Sequence, residues 1–106
     1  MSMREMLEEK LARFEELEKQ LSDPEVLANS AKMTAVAREH GSLGRLAKKI
    51  RDFKGIQQQI QEAQEMIAGD DPEMAELAEA ELPELRTSVE AIWQDLLDMT
   101  IGGDDA

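Results

Sequence analysis

Eight apolar residues between positions 75 and 99 recur at alternating steps of three and four: Ala75, Ala78, Leu82, Leu85, Val89, Ile92, Leu96 and Met99. Only an α-helix brings residues so spaced onto one side, because 3.6 residues make a turn. A stripe of this kind commits the segment to a long helix with one buried face. The same logic applies upstream. Met3, Leu7, Leu11, Phe14, Leu17 and Leu21 form a stripe over residues 3–21. Between about residues 31 and 68, Leu46, Phe53, Ile60 and Ile67 are spaced by sevens, with Leu43 and Ile50 three residues before the first two. Heptads of this type mark helices that pack lengthwise. The expected fold is therefore all-α: an elongated antiparallel bundle of three long helices with coiled-coil-like packing over residues 1–100. Residues 101–106 are expected to form a flexible tail leading to a further domain.

Punctuation supports those boundaries. Ser22-Asp23-Pro24-Glu25 ends the first helix, and Asp23 can cap a short helical piece from Pro24 to Asn29. Ala68-Gly69-Asp70-Asp71-Pro72 is a second stop and restart. Gly69 is expected to close one helix in the left-handed conformation, and Asp71 to cap the next, with Pro72 at its first position. Two weak places are predicted. Gly41 and Gly44 each cost about 1 kcal/mol against Ala within a helix, so a bend or break is expected around residues 40–44. Pro83 removes a backbone hydrogen bond and clashes with the carbonyl of Glu79, which predicts a kink or two helices meeting there.

Composition narrows the chemistry. There are 106 residues and no cysteine, so one small domain is expected, without disulfides or thiolate chemistry. The single histidine, His40, builds no ordinary zinc site by itself, and reads as a residue on the surface or boundary of a helix. Adjacent carboxylates such as Glu8/Glu9, Glu15/Glu16 and Asp70/Asp71 do not converge on one substrate. No catalytic, cofactor-binding or metal-binding set is expected, nor a small-molecule substrate. The chain has no apolar run near the roughly 20 residues a membrane span needs, and a soluble cytoplasmic protein is expected.

Charge is distributed unevenly. Residues 1–31 carry net −4, residues 32–54 net +5 and residues 55–106 net −13. An acidic chain repels nucleic acid as a whole, so any RNA contact is expected from the basic stretch: Arg38, Arg45, Lys48, Lys49 and Lys54. The competing reading pairs these cations with acids of the first or third helix. Aromatic platforms for single-stranded RNA are lacking, since Phe53 belongs to the core stripe.

The segment Leu21-Ser22-Asp23-Pro24-Glu25-Val26-Leu27 resembles the end of the first helix in bacterial class I peptide chain release factors, of the release factor 1 type. The order around it is similar too. A Glu/Leu-rich helix (Lys10 to Leu21) precedes it. Ala37-Arg38-Glu39-His40 follows, where the family has tyrosine after the glutamate. Then come Ala63-Gln64-Glu65-Met66-Ile67, Asp70-Asp71-Pro72-Glu73-Met74 and Ala78-Glu79-Ala80-Glu81-Leu82. The resemblance covers roughly residues 5–97, and the Ser22-Asp23-Pro24-Glu25 turn favours type 1 over type 2. The family's Gly-Gly-Gln loop and Pro-x-Thr-type codon-reading motif do not occur in this sequence. Pro83, Gly41 and Gly44 also depart from the family, which favours better helix formers there. The resemblance implies a non-catalytic N-terminal helical domain that helps dock the factor near the ribosomal stalk base. Its implied partners are stalk-base proteins, ribosomal RNA and other termination proteins. The rival expectation is a stand-alone coiled-coil adaptor. Exposed heptads would also let the isolated domain self-associate.

Overall fold

The computed structural model describes residues 2–100. Four helices follow in order: α1 (Met3–Gln20), α2 (Pro24–Leu27), α3 (Ser30–Ile67) and α4 (Pro72–Thr100). The fold is all-α, with no strand among the described residues. The three expected helices become four elements, because Pro24 starts a separate single turn. The tail expected over residues 101–106 lies outside the described residues.

Each helix start has a chemical cause. The Ser2 hydroxyl accepts from the Glu5 N–H at 3.1 Å, and the Glu5 carboxylate accepts from the Ser2 N–H at 3.3 Å. This reciprocal box is encoded in the sequence as Ser-x-x-Glu at Ser2 and Glu5. Asp23 accepts from the Glu25 N–H at 2.9 Å, capping α2. Asn29 accepts from the Lys32 N–H at 3.0 Å, starting α3. Asp71 accepts from the N–H groups of Glu73 and Met74 at 3.0 and 3.3 Å, as expected for α4.

No break falls at Gly41, Gly44 or Pro83. α3 runs unbroken through Gly41 and Gly44. A Cβ at Gly41 would meet nothing within 4 Å, and one at Gly44 would lie an ordinary 3.9 Å from the Phe14 ring. The glycines weaken local propensity, but helix contacts on both sides hold the segment. α4 is likewise one helix with Pro83 inside it. Glu79 and Pro83 are exposed, so water can serve the carbonyl that Pro83 leaves without its donor. Gly69 does not adopt the left-handed backbone. α3 instead ends through hydrogen bonds from Ala68 N–H to the Gln64 carbonyl and from Gly69 N–H to the Met66 carbonyl, both at 3.1 Å.

The chain divides into two compact units, Met1–Ile50 and Arg51–Ala106. In the first, α1 buries Leu7, Leu11, Phe14 and Leu17, most of its predicted stripe. Leu17, Val26 and Val36 form one apolar cluster, with Leu21, Met33 and Leu43 packed against it. The stripe of α3 here is Met33, Val36, His40, Leu43, Ala47 and Ile50, all buried or half-buried. Its steps alternate three and four throughout.

In the second unit the stripe of α3 is Phe53, Ile56, Ile60, Ala63 and Ile67, again at alternating threes and fours. Four residues separate α3 from α4, so α4 returns antiparallel along it. Ala63, Ala78 and Leu85 form the core cluster, with Ile56, Ile60, Ile67 and Leu82 against it. Phe53 and Trp93 add a tilted aromatic pair with centroids 5.3 Å apart, a favourable geometry for two rings. Leu96 is fully buried.

Candidate functional site

The five predicted contact residues all lie on α3. Arg38, Arg45, Lys48 and Lys54 are exposed, and Lys49 is half-buried. Steps of seven and four place Arg38, Arg45 and Lys49 within about 40° of one another around the helix, and Lys48 lies about 80° from Arg38. These four belong to the first unit and Lys54 to the second. Arg45, Lys48, Lys49 and Lys54 each have a partner within the fold. The helix thus presents a cationic strip, held partly in place by neighbouring groups.

A forked ion pair joins a cation of α1 to an anion of α3. Arg13 of α1 donates from Nε and Nη2 to the two carboxylate oxygens of Glu39 on α3, at 2.6 and 2.7 Å. The anion of this pair thus sits on the basic helix. Such a fork is the favoured arginine–carboxylate geometry. Its hydrogen bonding raises the Arg13 pKa and lowers that of Glu39, so both stay charged. Both side chains are nearly half exposed, so water screens the pair and its role is register more than stability.

At the next residue of α1, Phe14 stacks on His40, with centroids 4.3 Å apart and planes 17° from parallel. The His40 Nε2 lies 3.7 Å from a Glu18 carboxylate oxygen, beyond hydrogen-bond reach, and has no hydrogen-bond partner in the protein. His40 is therefore a boundary residue, as expected, and also a member of the core stripe. Beside it, an open groove of about 490 Å³ between α1 and α3 is lined by Met6, Glu9, Lys10, Leu43 and the Arg13–Glu39 pair. Sequence reasoning missed the ion pair and the ring stack. Each needs the α1–α3 register, which no single-helix pattern contains.

No group of His, Cys, Asp or Glu among the described residues is arranged to hold a metal ion. No helix among them is long and apolar enough to cross a membrane.

Comparison with known proteins places this architecture in a family. Residues 10–106 match the PCRF domain. The chain is similar to peptide chain release factor 1 of Syntrophus aciditrophicus (strain SB), with 42% identity over 80 residues, 76% of this chain and 22% of that protein. It is 39% identical over 90 residues to peptide chain release factor 1 of Geobacter sulfurreducens, covering 85% of this chain and 25% of the relative. For the protein of the same name from Akkermansia muciniphila the figures are 34% over 91 residues, 86% and 25%. The chain thus spans about a quarter of the length of the curated relatives it matches. No solved structure matches it. With a match that takes in α2, α3, α4 and most of α1, the chain belongs to the PCRF domain family.

Proposed function

We propose that this chain is the non-catalytic docking module of a cytoplasmic translation termination factor of the release factor 1 type. In this reading it helps seat the factor on the ribosome near the stalk base, beside stalk-base proteins, ribosomal RNA and other termination proteins. The parent protein would direct stop-codon-dependent hydrolysis of peptidyl-tRNA. The observation that carries the proposal is the similarity to proteins named peptide chain release factor 1, at 34–42% identity over 76–86% of the chain. The heptad seams fit lengthwise, coiled-coil-like packing, which would present long rigid faces to a large partner. The cationic strip of Arg38, Arg45, Lys48 and Lys49 supplies a phosphate-complementary surface on an otherwise acidic chain, and Lys54 adds a separate cation in the second unit. The Gly-Gly-Gln and Pro-x-Thr motifs are not in this sequence, which leaves bond cleavage and codon choice to other parts of such a factor.

The test is binding of the purified chain to ribosomes, beside a variant carrying Arg45→Glu, Lys48→Glu and Lys49→Glu. Saturable binding that the variant loses supports docking through the cationic strip. Equal binding by both keeps the docking role and removes the strip from it. Absence of binding by either chain defeats the proposal for this chain in isolation.

A further inference from the structure

The turn between α3 and α4 carries three exposed large apolar side chains: Met66 at 43%, Met74 at 40% and Leu77 at 66% exposure. Helix geometry places them together. Ala63 and Ala78 share one core cluster, which sets the level at which the antiparallel helices face each other. Met66 lies one turn from Ala63 toward the connecting turn, and Met74 one turn from Ala78 in the same direction. At about 100° per residue, Met66 is rotated some 60° from Ala63, and Met74 and Leu77 some 40° and 100° from Ala78, all in the same sense. In an antiparallel pair, equal senses of rotation put side chains on the same side. Met66, Met74 and Leu77 therefore form one apolar patch at the tip of the hairpin.

The rim of that patch has one sign. Between Gly55 and Leu85 there is no Lys or Arg, and there are nine carboxylates. Glu62, Glu81 and Glu84 continue the same side of the two helices below the patch. From this we infer that the α3–α4 tip is a docking site for a basic amphipathic helix of a partner protein. Leucine-like anchors would seat on Met66, Met74 and Leu77, while lysines or arginines meet the glutamate rim. Two unbranched methionines suit such a surface, since they repack around different anchors. The charge argues against other occupants. A second copy meeting tip to tip would bring carboxylates against carboxylates, and an anionic membrane or a nucleic acid would be repelled. The site lies apart from the cationic strip of α3, and its test needs no ribosome.

The test uses the full chain and a fluorescent helical peptide of Leu and Lys at heptad spacing, with a Leu/Glu counterpart. Saturable binding of the Lys peptide and none of the Glu peptide is expected. Leu77→Asp and Met74→Asp should each weaken binding by about tenfold. Both variants add negative charge, so simple attraction would make the basic peptide bind more tightly; a loss isolates the apolar anchors. Leu27→Asp changes an exposed leucine of the first unit, at 49% exposure, and should leave affinity unchanged. All these side chains are exposed, and unchanged circular dichroism confirms that each variant folds. Equal effects of Leu77→Asp and Leu27→Asp, or binding that never saturates, would overturn the inference. So would binding of the wild-type chain to vesicles rich in anionic lipid that Leu77→Asp abolishes, or concentration-dependent dimerisation that it abolishes.

Discussion

The two units solve the same problem with different materials. Among residues 2–50, nine basic side chains face nine acidic ones. Opposite charges are available on both helices, and the Arg13–Glu39 fork sits beside the Phe14–His40 stack. Among residues 51–100 there are three basic side chains against thirteen acidic ones. Few ion pairs can form there, and like charges must be kept apart by water. That unit relies on shape. Ala63 and Ala78 let the helices approach closely, and Phe53 with Trp93 fills the wider space. Charge balance thus decides whether register is written in polar pairs or in side-chain size.

The sharpest way to break this comparison is to hollow each core. Leu17→Ala and Leu96→Ala remove fully buried side chains, and each should cost about 2–5 kcal/mol. Amide hydrogen exchange then reports where protection falls. Two separate cores predict losses confined to residues 2–50 for Leu17→Ala and to residues 51–100 for Leu96→Ala. Uniform loss in both variants would make the chain one cooperative unit.

Next in size is Pro83→Ala. It restores a helix hydrogen bond to the Glu79 carbonyl and should stabilise the chain by about 1–3 kcal/mol, read as a higher denaturant midpoint. An unchanged midpoint would mean that packing of α4 had already absorbed the defect. Asp71→Ala and Asp23→Ala, which remove one cap from each unit, should each cost about 1 kcal/mol. The Asp71 loss should be the larger, because it frees two N–H groups of a long helix. Gly41→Ala and Gly55→Ala place a methyl where nothing lies within 4 Å, and should each stabilise α3 by about 0.5–1 kcal/mol.

The smallest effect belongs to Glu39. Hydrogen bonding to Arg13 lowers its pKa, so its contribution is present above the unfolded-state pKa and fades as pH falls through the folded one. Wild type and Glu39→Gln should therefore differ slightly at neutral pH and converge only in acid, once pH has fallen below the ordinary glutamate range and through the lowered folded-state value. Chemical denaturation at a series of pH values checks this, and added salt should narrow the gap.

Much of the fold was legible because helix periodicity is local. The ends of α4, the stripe of α1 and the Asp23 and Asp71 caps follow from residues within one or two turns of each other. The long spans of α3 and α4 were legible too, while Gly41, Gly44 and Pro83, which weaken a helix locally, left open whether a break fell inside them. The heptad reading of α3 was also too simple. Sevens from Leu46 to Ile67 lie close to the true stripes but miss Val36, Ala47 and Ala63, all buried. Small residues carry little hydrophobic signal, although here they mark close contact. Of the surface features, the run of cations along α3 could be read directly. The Arg13–Glu39 fork and the apolar tip depend on which helix faces which, and at what level.

The step pattern of α3 has one lapse. From Ala47 the core positions fall at Ile50, Phe53 and Ile56, three threes in succession where a four is due. The helix is one residue short of a continuous seam, and the lapse falls where one core ends and the next begins. Arg51 and Asp52 stand at that lapse, and each has a partner within the fold. Adding a single residue there would restore the alternation of threes and fours along the whole of α3.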